Sequence, residues 1–131
     1  MTLSKRFLVI GAGYGFLAVV LDALGTHGLK QLGPGLLVIW HLAAQYQFWH
    51  ALALLAVGIL ARSQALEALK ASGWCFALGT LIFSGSLYAL VLSGVGVVSA
   101  LVPVGGLLLL AGWGALLYAA IKLPAETPAG R

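Results

Sequence analysis

The run QYQFWHALALL at 45–55 sets Tyr46, Gln47 and His50 inside an otherwise apolar stretch. An imidazole buried there either hydrogen-bonds across helices or handles a proton, an ion or a lipid group, because ionisable side chains at depth cost about 2.5–3.5 kcal/mol on insertion scales. Asp22 poses the same question as the only acid inside a predicted span. It either reaches interfacial water or pairs with Lys30 or His27 at the end of the first helix, or else acts as an intramembrane carboxylate that exchanges a proton or binds a cation. A haem or metal centre is the third option. His41 precedes His50 by nine positions, about 900° of helical rotation at roughly 100° per residue, so the two imidazoles leave one helix on opposite sides. No HxxxH, ExxH or CxxCH spacing occurs, and a bis-histidine haem would need His27 or a second subunit to complete it.

No nucleophile, base and orienting group come together in the sequence. The early glycines, GAGYG at 11–15, lack the GxGxxG spacing and a preceding strand, so they do not read as a nucleotide loop. The expectation is therefore of no catalytic residue, no metal site and no cofactor. Two polar groups remain: a seam of Tyr46, Gln47, His50, Ser84, Ser86 and Tyr88, and an outer cluster of Asp22, His27, His41 and Gln45.

The elements that position these groups follow from composition. Of 131 residues, 62% are hydrophobic and 8% charged, with a mean hydropathy of +1.08. Soluble domains carry roughly 25% charged residues, so this chain is an integral membrane protein. Apolar segments at about 7–25, 37–61, 73–92 and 103–122, with a short tail at 123–131, predict an all-α four-transmembrane-helix bundle forming one domain over 1–131. The first segment has the basic start of a signal peptide, yet Asp22 lies where cleavage would fall, so it reads as a retained helix. The net charge of +4 comes from scattered basic residues rather than a stripe, which argues against nucleic acid. Lys5, Arg6, Arg62, Lys70, Lys122 and Arg131 fall at one end and Lys30 alone at the other, predicting both termini on the cytoplasmic side. By this count His50, Ser84, Ser86 and Gly112 lie near the bilayer centre. Cys75 is the single cysteine and forms no internal disulfide.

Within the second span, Ala43, Tyr46, Gln47, His50, Ala53 and Leu54 recur at helical spacing and form the face turned toward the bundle. Small residues predict close helix contact: Gly11 and Gly15 form a GxxxG, and Gly79, Gly85, Gly105, Gly106, Gly112 and Gly114 enrich the last two spans. Trp40 and Trp74 read as interfacial anchors, Trp49 and Trp113 as buried packing. Pro103 opens the fourth helix, where its missing N–H costs little.

Four ordered blocks give the chain a family likeness: LDALGTHGLK at 21–30, AAQYQFWHALALL at 43–55, ALGTLIFSGSLY at 77–88 and VPVGGLLLLAGW at 102–113. Together they resemble the bacterial inner-membrane family catalogued as domain of unknown function 423, to which small eukaryotic four-helix proteins such as transmembrane protein 256 are related. The resemblance implies four transmembrane helices and a multi-pass place in the bacterial inner (plasma) membrane, and it implies no agreed activity. It carries His27 over from a GAH motif, and Tyr46, Gln47 and His50 from YQxxH. Ser84, Gly85, Ser86 and Tyr88 match SGSLY, while Pro103, Gly105, Gly106, Gly112 and Trp113 match PVGG with GW. Asp22 departs from the family pattern, which has glycine there, and Thr26 replaces an alanine. The resulting expectation is a non-enzymatic structural, lipid-contacting or accessory-subunit component. Its expected partners are membrane lipid and either further copies of itself or a membrane complex. The alternative is a minimal proton- or ion-coupled transporter or channel using His50 and Asp22.

Overall fold

The computed structural model describes residues 1–126, so Arg131 and the end of the tail lie outside the described residues. The chain forms four long helices: α1 (Leu3–Gly28), α2 (Pro34–Leu60), α3 (Glu67–Ser93) and α4 (Val102–Lys122). Short 3-10 turns, Lys30–Leu32 and Gly96–Leu101, fill the links at one end. All four helical segments are long and apolar enough to cross a bilayer.

Local chemistry sets the boundaries. The Thr2 hydroxyl accepts the Lys5 N–H at 3.2 Å and caps α1. Gly33, at φ 81°, turns the chain into Pro34, whose fixed φ suits the first helical position of α2. Gly94, at φ 69°, closes α3 with its N–H on Leu90 O at 2.9 Å. α1, α2 and α3 each begin at least three residues before the expected start, and two of the breaks between spans differ in structure. The break expected at 62–72 is half helix, because α3 begins at Glu67: an acid in the first turn offsets the helix dipole and EALKA is rich in good helix formers. The break expected at 93–103 contains the 3-10 turn that runs straight into α4. At 27 residues, α2 and α3 are each about 40 Å long, exceeding a hydrocarbon core of about 30 Å by roughly a turn at each end.

The α2–α3 pair is the centre of the bundle. α1 packs chiefly on α2 and α4 chiefly on α3, leaving Phe16, Val19, Leu107, Leu110 and Ile121 on outer faces that meet lipid. Phe7, Leu54, Val57, Leu69, Phe76 and Leu109 form the apolar core. The predicted α2 face is the buried one: Ala43, Gln47, His50, Ala53 and Leu54 are all buried, with Tyr46 at its edge.

Glycines separate into those the packing requires and those it does not. A Cβ on Gly105 would land on the backbone of Phe83 in α3, one on Gly112 would strike the Phe76 ring, and one on Gly11 would lie 3.1 Å from Ala51 O. Gly15 and Gly106 have only ordinary contacts at 3.8 Å, and Gly85 and Gly114 have nothing within 4 Å. Gly85 is therefore not a packing glycine, because its side of α3 faces no helix. Gly25, Gly58 and Gly73 meet Trp40, Leu8 and Phe7 closely and belong to the packing set instead.

Candidate functional site

Gln47 is the midpoint of α2 and the hub of the seam. Its Nε2 donates to Tyr14 O of α1 at 2.9 Å, and its Oε1 accepts from the Tyr88 hydroxyl of α3 at 2.9 Å. The Tyr14 hydroxyl in turn donates to Ala77 O of α3 at 2.8 Å, which closes a three-helix circuit. Two turns earlier in α2, Trp40 donates to Leu21 O at 2.6 Å and lies against the Tyr88 ring, centroids 4.7 Å apart. Trp40 is thus 2% exposed and not an interfacial anchor, whereas Trp49 and Trp113 are each 47% exposed on outer faces. The reversal has a plain cause: Gly25 of α1 leaves the space into which the Trp40 indole fits.

His50 lies one turn nearer the C-terminal end of α2 than Gln47, so the polar centre of α2 is Gln47 rather than His50. Its ring meets neither Ser84 nor Ser86 as a partner. Nδ1 is 2.7 Å from Tyr46 O, and Nε2 is 3.1 Å from Trp113 Nε1 of α4. A carbonyl only accepts and an indole N–H only donates, so these partners fix His50 as the neutral tautomer protonated at Nδ1. A proton added at Nε2 would face the Trp113 N–H donor to donor. Phe76 and Tyr46 border the imidazole, with centroids at 5.7 and 5.9 Å, and Tyr46 also stacks on Phe83 at 4.7 Å. The serines bond to main chain: Ser84 reaches Ala43 O of α2 at 2.8 Å, and Ser86 donates to Ile82 O in its own helix. Ser4 to Gly58 O at 2.7 Å and Ser72 to Gly112 O at 2.9 Å add two further interhelical bonds. Thr80 Oγ1 is the buried side-chain polar atom left without a partner among the described residues.

The outer cluster is a separate arrangement. Asp22 Oδ1 pairs with His41 Nδ1 of α2 at 2.6 Å, not with His27 or Lys30. His27 follows Asp22 by five residues, about 500° of rotation, which carries it away from α2 to an exposed position. Thr26 donates to Asp22 O one turn back, at 3.2 Å. The Asp22–His41 pair stands in the wall of a groove of about 730 Å³ between α1 and α2. Gln45 also lines it, and Val19, Val38, Leu42, Phe48 and Trp49 make the rest of the wall apolar. With Val19 and Val38 exposed, the groove opens sideways toward lipid. The two polar centres do not meet, since nine residues of α2, about 13 Å, separate His41 from His50 on opposite sides of the helix. Among the described residues, no group of three or more His, Cys, Asp or Glu gathers to hold a metal ion.

Tyr14, Trp40, Ser4, Ser72 and the Trp113 N–H also tie helices together, and none of them stands in the seam expected from the sequence. Tyr14 had a signal, lying one turn from the close-packing Gly11 on the same face of α1. For the other four the sequence held no sign of the partner, because each donates to a group whose position depends on how the helices dock.

Fold and site together define a small multi-pass membrane protein with four spanning helices tied by hydrogen bonds between side chains and backbone. The chain belongs to the family described as "Protein of unknown function (DUF423)", whose model matches residues 21–106. It is similar to a UPF0382 membrane protein of Staphylococcus aureus (strain bovine RF122 / ET3-1), 37% identical over 119 residues that cover 90% of this chain and 97% of the relative. The UPF0382 membrane protein YwdK of Bacillus subtilis (strain 168) is 37% identical over 120 residues, 90% of this chain and 98% of its own. A UPF0382 membrane protein of Haemophilus influenzae (strain ATCC 51907 / DSM 11121 / KW20 / Rd) is 36% identical over 122 residues, 92% and 97% of the two chains. No solved structure matches the chain.

Proposed function

We propose that this chain is a non-enzymatic, lipid-contacting component of the bacterial inner membrane, with both termini cytoplasmic. The observation that carries the reading is the division of labour between the two polar centres. The seam groups are turned on one another and on backbone carbonyls, so they bind helices together. The groove between α1 and α2 instead opens sideways and offers a polar pair above an apolar wall. Such a shape suits an amphipathic molecule entering from the bilayer rather than a solute crossing it. The orientation rests on Lys5, Arg6, Arg62, Lys70 and Lys122 at one end against Lys30 at the other.

Two measurements on purified protein test this. Native mass spectrometry after gentle extraction should find lipid retained by the wild type and lost when Val38→Trp fills the groove. Proteoliposomes should show no pH-driven ion flux above empty vesicles. Flux that falls on His50→Ala or Asp22→Asn would replace this reading with a transporter.

A further inference from the structure

We propose that the α1–α2 groove selects a phospholipid whose headgroup carries a primary ammonium, with Asp22 as the acceptor of that group. This inference rests on the lipid-contacting reading above and adds the chemistry of the headgroup.

Depth comes first. Asp22 lies six residues, about 9 Å, inside the C-terminal end of α1. A 26-residue helix of about 39 Å overhangs a core of about 30 Å by roughly 4–5 Å at each end. The carboxylate therefore sits about 4–5 Å below the hydrocarbon boundary, within reach of a headgroup bending inward. Below it, the eight residues from His41 to Trp49 give about 12 Å of wall, apolar at Leu42, Phe48 and Trp49. An acyl chain fits this wall while its headgroup stays at the pair, so the groove is amphipathic in the same sense as a lipid.

Charge selects among headgroups. The chain has three acids, Asp22, Glu67 and Glu126, and only Asp22 lies at the Lys30 end. His41 donates to Oδ1, which leaves Oδ2 for a second donor. The side chain is 56% exposed, so an ammonium reaches it without a conformational change. An anionic phosphoglycerol headgroup would bring its phosphate toward the same carboxylate with no positive group to offset it. An aminophospholipid presents N–H donors to Asp22 and can rest its phosphate toward the water side.

The test is competition between two lipids with identical chains. Wild-type protein is reconstituted in nanodiscs of phosphatidylethanolamine and phosphatidylglycerol in equal amounts, released gently, and weighed with its retained lipid. The expected result is ethanolamine lipid enriched about two- to fivefold, the range an exposed ion pair supplies. Asp22→Asn keeps the shape and the hydrogen bond to His41 but removes the charge, so it should retain lipid with a ratio near one. Val38→Trp, at a position 68% exposed and hence safe for folding, should lose the lipid. Lipid held by the wild type with no preference, or a preference that survives Asp22→Asn, overturns the headgroup assignment and leaves the groove reading intact. Retention unchanged by Val38→Trp overturns the groove reading itself. A lipid-free dimer whose contact is lost in Val38→Trp overturns both and gives the groove to a second copy.

Discussion

Two glycines in neighbouring spans give opposite predictions, and the contrast tests the packing directly. A methyl added at Gly105 would overlap Phe83 N and Cα, which are backbone atoms and cannot rotate aside as a side chain would. Relief requires α3 and α4 to move apart, which also stretches Ser72 from Gly112 O and Trp113 from His50. Overpacking of this kind costs about 1–3 kcal/mol, and a rigid backbone neighbour puts it at the upper end. Replacing Gly by Ala in a helix returns about 1 kcal/mol. Gly105→Ala should therefore destabilise the fold by about 2 kcal/mol. Gly85→Ala meets nothing within 4 Å and keeps only the helix gain, stabilising by about 0.5–1 kcal/mol. Reversible unfolding in mixed micelles with increasing dodecyl sulfate reads the difference, about 2.5–3 kcal/mol between the variants. If both variants shift the same way, or Gly105→Ala matches the wild type, the α3–α4 contact described here is wrong.

Gln47→Leu should destabilise by about 1–3 kcal/mol, since it removes the bonds to Tyr14 O and Tyr88 and leaves the Tyr88 hydroxyl unpaired; thermal unfolding in detergent reads it. Nitrogen NMR of histidine-labelled protein should show His50 neutral with its proton on Nδ1, and an Nε2-protonated ring would contradict the Trp113 bond. Trp113→Phe should cost about 0.6–2 kcal/mol while leaving the Gln47 circuit intact, as judged by the hydrogen-exchange protection of α2. Trp40→Ala should be among the most damaging changes, at about 3–5 kcal/mol, because it empties a buried site and removes the bond to Leu21 O, and denaturation midpoints in detergent check it.

Sequence alone revealed which side of each element is busy more readily than what that side touches. The buried face of α2 could be read because Ala43, Gln47, His50, Ala53 and Leu54 recur at the helical period. The bond from His50 to Trp113 could not, because it depends on the rotation and height of α4 relative to α2. The same holds for Asp22, whose partner came from the facing helix rather than from nearby His27 or Lys30. Glycine richness pointed to close packing in α3 and α4 but could not separate Gly105 from Gly85, which lie on helices whose facing angles no local pattern records. Trp40, Trp49 and Trp113 were misassigned for a related reason. Position near a span's end suggests an interfacial ring, yet Trp40 sits beside Gly25 and fills the gap that glycine leaves.

Ser4, Tyr14, Trp40, Ser72 and Ser84 all donate to main-chain carbonyls of another helix. A carbonyl is present whatever residue bears it, so only the donor's identity is written in the genetic message. Gly58, Ala77, Leu21, Gly112 and Ala43 can each drift, as far as their volume allows, without breaking the bond they receive. A saturation library should therefore be lopsided: intolerant at the five donors, permissive at acceptors that are not also sterically pinned, such as Leu21. Such one-sided coding lets a small membrane protein diverge in most of its letters while its helices stay tied at the same points.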